Sequence, residues 1–143
     1  HPESTIVSRP SPGPAPTALA FDGNSLWSYD AANRALYHHG SDEATHKAYA
    51  VEEDVVPNAL AWVEGRLWMH DTKSRRILVY AAVGERLVRL ESHAAPDAAL
   101  LGFVVIPGKD GRRLWALVGP SAERGSSALA LFRIRSRIPI AIF

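Results

Sequence analysis

The stretch TALAFDGNSLWSYDAANRALYHH (Thr17–His39) decides how the chain is read, because it returns as NALAWVEGRLWMHDTKSRRILVY (Asn58–Tyr80). The offset is 41 residues without a gap. Ala18, Leu19, Ala20, Leu26, Trp27, Asp30 and Arg34 recur as Ala59, Leu60, Ala61, Leu67, Trp68, Asp71 and Arg75. Phe21 becomes Trp62 and Leu36 becomes Ile77, both conservative exchanges. A third, looser copy runs LLGFVVIPGKDGRRLWALVGPSAERGSSALALFRI (Leu100–Ile134), where Leu114-Trp115 answers Leu67-Trp68 at an offset of 47. Its extra length falls in PGKDG and PSAERGSS, whose turn residues place the insertions in loops.

Each copy holds three short strand signals: ALAF, ALAW or GFVVI; then SLWSY, RLWMH or RLWALV; then ALYHH, RRILVY or SALALFRI. They are rich in aromatic and β-branched residues and bounded by Gly, Asp and Asn. A fourth strand per unit is expected at Thr45–Val51, Glu85–Glu91 and Ser136–Phe143. The first two alternate polar and apolar, as a strand with one wet face does. Pro139 has no N–H to donate, so the last belongs on an edge. Four antiparallel strands every 41 to 47 residues is the period of a β-propeller blade. A β-sandwich also accommodates twelve short strands, but gives no reason for Leu-Trp to return in the same strand of each unit. The fold class expected is therefore all-β: three propeller-type blades at about 17–51, 58–91 and 99–143, an incomplete ring by itself. Residues 1–16, HPESTIVSRPSPGPAP, form a Pro-rich leading segment with a short outer strand at Thr5–Ser8.

Bulk properties narrow the partners. Hydrophobic residues are 47% and charged residues 22%, and sixteen Lys+Arg against fifteen Asp+Glu leave a formal charge of +1. That balance argues against a nucleic-acid partner. The one local basic cluster, Arg133, Arg135 and Arg137, shares a strand face and suits a solvated edge or a weak anionic contact. With no cysteine, disulfides, thiolate metal sites and Cys nucleophiles are all excluded. No apolar run approaches the 18 residues of a membrane-spanning helix, so no membrane partner is expected. The start at His1 reads as a processed or partial chain.

PTALAFDGNSLWSYDAANRALYHH (Pro16–His39), PNALAWVEGRLWMHDTKSRRILVY (Pro57–Tyr80) and GFVVIPGKDGRRLWALV with SALALFRI resemble propeller repeats of the NHL, SMP-30/gluconolactonase and glutamine-cyclotransferase group. The repeated residues are the ones that pack blades, so the resemblance implies architecture more than activity. Propellers close with four to eight blades. Three blades with open apolar ends imply a homo-oligomer, a companion chain that completes the ring, or a piece of a longer protein.

Propeller ligands sit where loops lead into the innermost strands, which points to Thr17, Asn58 and Asp97 as channel-facing residues. In gluconolactonase-type hydrolases a Glu, an Asn and an Asp hold a divalent cation. Resemblance to them makes Glu3, Asn58 and Asp97 the candidate ligands of a hard cation such as Ca²⁺, and a metal-dependent hydrolase or lyase the alternative function. The bland reading of the same Asn and Asp is turn capping. His38 and His39 are adjacent and point to opposite faces, His70 reads as a packing position, and His46 and His93 lie in polar stretches, so no zinc cluster converges. Trp27, Trp68 and Trp115 are expected in the core between blades, with Trp62; an exposed Trp rim would instead mark a carbohydrate-binding module. Asp30 and Asp71, each with an Arg four residues on, are expected to cap turn amides. No G-x-S-x-G, Walker A, dinucleotide fingerprint or H-E-x-x-H is present. The function expected is a non-catalytic scaffold or binding module that acts through assembly.

Overall fold

Alternation of apolar and turn-forming residues builds eleven strands and, among the described residues, no helix. A computed structural model describes residues 8–40, 46–95, 99–120 and 125–134. β1 (Pro16–Phe21), β2 (Leu26–Asp30), β3 (Ala35–His39) and β4 (His46–Ala50) form one antiparallel meander, β1-β2-β3-β4. β5 (Pro57–Val63), β6 (Arg66–Asp71), β7 (Arg76–Val83) and β8 (Arg86–Ala94) form the second. β9 (Leu100–Gly108), β10 (Gly111–Val118) and β11 (Ala128–Ile134) form the third. The fourth strand expected at Ser136–Phe143 lies outside the described residues, as does most of Thr5–Ser8. The hairpins close on left-handed residues: Glu64 (φ 47°) and Gly65 (φ 79°) make the two-residue β5–β6 turn, and Arg34 and Arg75 take φ 53° and 60° at equivalent β2–β3 and β6–β7 turns.

The sheets stack like blades. β1 lies against β5, and β5 against β9, so the first strand of each sheet is the innermost. Because a strand's side chains alternate, each sheet has two faces, and the middle sheet buries both. Leu60, Leu67, Met69, Leu78 and Tyr80 point toward the first sheet and meet Ala20, Trp27, Tyr29, Leu36 and Tyr49. Ala59, Ala61, Val63, Trp68, Ile77 and Val79 point the other way and meet Leu100, Phe103, Leu114, Ala116 and Val118. The fit sets large against small, with Leu60 and Trp62 over Ala18 and Ala20 of the preceding blade. Trp27 and Trp68 are 2% and 1% exposed, which makes these two layers the molecule's core.

Candidate functional site

The inner strands begin with a repeated irregularity. The β1–β2 register slips between Pro16 and Ala18, and the β5–β6 register between Pro57 and Ala59, so Thr17 and Asn58 occupy the same bulge. A bulge re-aims the side chain it carries. In the third sheet the slip falls between Leu100 and Gly102, and Leu101 holds the bulge. Thr17 and Leu101 are exposed and Asn58 is half-buried. Asp97 and Glu3 lie outside the described residues.

Asn58 joins two blades. Its Nδ2 donates to the Leu100 carbonyl of β9 at 2.9 Å, which leaves Oδ1 as acceptor for His70 Nδ1 at 2.6 Å. His70 is thereby fixed as the Nδ1–H tautomer. It is fully buried, and its Nε2 has no hydrogen-bond partner among the described residues. Burial pushes its pKa down, opposed by nearby Asp71, so the ring is neutral at physiological pH. The packing expected of His70 thus comes with a specific polar contact to the Asn58 side chain, which in turn reaches a backbone carbonyl that no motif announces.

Asp30 and Asp71 cap their turns as the sequence suggests. Asn33 N donates to Asp30 Oδ1 at 2.7 Å, and Ser74 N to Asp71 Oδ2 at 3.2 Å. Each also accepts an amide from the segment leading to its inner strand, Ala15 N at 2.7 Å and Val56 N at 2.8 Å. The two carboxylates are blade clamps tying the turn to the inner strand. Burial raises the pKa of Asp71, but hydrogen bonds from Ser74, Val56 and Lys73 outweigh it and hold the group below the usual carboxylate range. Asp22 is held lower still: burial opposes ionisation, and donors from Ser25, Trp27 and Asn24 overcome it.

The other described histidines also serve blade packing. His38 stacks on Trp27 at 4.1 Å and approaches Ser25 Oγ at 2.6 Å, while His39, on the opposite face, pairs with Ser28 Oγ at 2.7 Å. His46 meets the Tyr37 ring edge-on, and His93 stacks on Trp68 at 5.9 Å. Among the described residues no group of three or more His, Cys, Asp or Glu is placed to hold a metal ion.

Surface chemistry concentrates on the outer faces of the stack. Equivalent rows run Ala20–Trp27–His38 in the first sheet, Ala61–Trp68–Val79 in the second and Val104–Trp115–Leu131 in the third. Trp27 and Trp68 are covered by the following sheet. Among the described residues no sheet follows the third, and Trp115 is 38% exposed, which corrects the expectation that all three Trp lie in the core. Val104, Leu117, Leu129 and Leu131 share its face and are exposed with it. At the opposite end of the stack Leu19, Phe21 and Leu26 are exposed. The face of the third sheet ends in a row where Arg113 directly opposes Arg133, beside a cleft of about 650 Å³ that Lys109 and Arg112 also line. Arg135 and Arg137 lie outside the described residues. Arg112 is engaged by Glu91 and Glu64 of the second sheet at 3.7 and 3.8 Å.

Comparison with known proteins identifies the architecture. No family model matches the chain, and no curated relative matches it. Several solved structures are similar, among them the following three. A chain of the Mitotic Checkpoint Complex matches with a TM-score of 0.57 and 14% identity over 85% of this chain and 36% of its own. Kuenenia stuttgartiensis Hydrazine Synthase matches with a TM-score of 0.55 and 14% identity over 94% and 39%. A putative 6-phosphogluconolactonase from Bacteroides uniformis matches with a TM-score of 0.54 and 16% identity over 86% and 38%. At such identities the likeness carries the fold alone: propeller-type blades. The chain spans under two-fifths of the length of the structures it matches.

Proposed function

We propose that this chain is a non-catalytic propeller-type scaffold, a binding module that acts by burying its outer blade faces against a protein partner. The observation that carries the reading is the outer face of the third sheet. Trp115 stands there in the row where Trp27 and Trp68 are each sealed by the next blade. Contiguous apolar surface of this kind is a contact surface in soluble proteins. The polar groups near the inner strands support the same reading, because Asn58 spends a hydrogen bond on the next blade and Asp30 and Asp71 spend theirs clamping their own. One of the similar structures is described as a complex, and assembly with other chains is carried over here as part of the proposal.

Dye binding tests the adhesive face. In dilute protein, an anilinonaphthalene sulfonate dye is expected to gain fluorescence on the native chain and to lose most of that gain in Leu129→Glu and Trp115→Glu. Equal dye signal in wild type and both variants would overturn the reading.

A further inference from the structure

Both interior interfaces follow one rule. The Trp of the middle strand is covered by a planar group from the sheet that follows. Trp62 stacks over Trp27 with ring centroids 5.3 Å apart and planes 21° from parallel. The Arg112 guanidinium lies over Trp68, 5.3 Å from its centroid. Such contacts add affinity and orientation beyond area burial. Trp115 is the third of the series, and among the described residues no planar group from a following sheet covers it.

The missing complement is present at the other end of the same chain. The outer face of β1 carries Leu19 and Phe21, the repeat equivalents of Leu60 and Trp62, and Phe21 is 60% exposed. Further out, blade 1 replaces the Met69, Leu78 and Tyr80 of its counterpart with Ser28, Tyr37 and His39. Those polar side chains are satisfied internally: Ser28 Oγ pairs with His39 Nε2, and Asn33 Nδ2 donates to Tyr37 Oη at 2.9 Å. Ser28 and Tyr37 are already buried and His39 is half-buried, so this part of the face is closed. Contact is therefore directed to the inner strand, where β1 meets β5 and β5 meets β9 within the chain.

We propose that two copies of this chain pair head to tail, the third sheet of each against the first sheet of the other, with Phe21 of one copy stacked over the partner's Trp115. The inference rests on the binding-module reading and names its partner. Each end offers what the other lacks, the second contact repeats the first by two-fold symmetry, and six blades fall within the range of closed rings.

The test is analytical ultracentrifugation of the intact chain, of Phe21→Glu, of Trp115→Glu, and of the two variants mixed. The expected result is a wild-type dimer that stays finite as concentration rises. Each variant loses at least tenfold in association and keeps the wild-type circular dichroism, because both side chains lie on outer faces. In the mixture dimer returns in part, since the Phe21→Glu chain keeps Trp115 and the Trp115→Glu chain keeps Phe21, leaving one whole contact. A dimer abolished by Trp115→Glu but indifferent to Phe21→Glu would overturn the pairing in favour of a third-sheet-to-third-sheet contact. Mass growing without limit would overturn the closed ring. A wild-type monomer at every concentration would overturn the second copy as occupant. In each of these cases the dye experiment separately decides whether the binding-module reading survives.

Discussion

Replacing Asp71 by alanine is expected to cost about 3 kcal/mol of stability. The carboxylate is 2% exposed and accepts Val56 N at 2.8 Å, Lys73 N at 3.1 Å and Ser74 N at 3.2 Å. A hydrogen bond to a charged acceptor contributes roughly 1.5–3 kcal/mol, so the Val56 amide alone accounts for about half of the loss. Lys73 and Ser74 sit on an exposed turn, where water replaces the lost acceptor, and each adds roughly 0.5–1 kcal/mol. Asp71→Asn keeps Oδ1 for two of the three amides but sets an NH₂ against Ser74 N, for a loss of roughly 1.5 kcal/mol. Denaturant unfolding followed by tryptophan fluorescence reads both values as midpoint shifts at constant slope. Asp30→Ala, which removes the equivalent clamp on Ala15 and Asn33, should give a loss of similar size. A cost under about 1 kcal/mol for Asp71→Ala, or equal costs for the alanine and asparagine variants, would refute the clamp argument.

Three further outcomes follow from the same geometry. A Cβ on Gly13 would lie 2.3 Å from the Asp30 carboxylate, so Gly13→Ala should break that clamp and lower stability by about 2 kcal/mol in thermal or denaturant unfolding; an unchanged midpoint would contradict the packing. Trp68→Ala opens the core and should cost about 3–5 kcal/mol, whereas Trp115→Ala, at a side chain 38% exposed, should cost roughly half as much in dilute protein, a contrast that unfolding curves read directly. Burial depresses the pKa of His70 below 6.5, so the unfolded chain binds a proton there first as pH falls. Stability should therefore drop below pH 6.5 by up to about 1.4 kcal/mol per pH unit until the folded-state pKa is passed, and the slope should shrink in His70→Gln. A second loss should follow below pH 3.8, where unfolded carboxyls protonate while Asp71 and Asp22 are held ionised; a flat profile from pH 7 to 5 would contradict the burial of His70.

The repeat made the architecture legible, because Leu-Trp in one strand of every unit is a packing requirement visible in the order of residues. Asp30 and Asp71 were legible as turn caps for a similar reason: their nearest partners are local. Their second role was not, because Ala15 and Val56 offer only backbone amides. Asn58 stood out as a special position, yet its bond to a carbonyl 42 residues away depends on which blades are neighbours. Trp115 shows the limit most plainly. Its sequence context matches Trp27 and Trp68, and its exposure depends on what packs on the outer face of the third sheet, which the repeat alone does not give. Glu3 and Asp97, named with Asn58 by resemblance to gluconolactonase-type enzymes, lie outside the described residues.

The most direct measurement of the central claim is the solution mass of the intact chain by light scattering across a wide range of concentration. The account predicts a species of twice 15.6 kDa that dissociates only on dilution. A folded chain that scatters as 15.6 kDa at every concentration would contradict it.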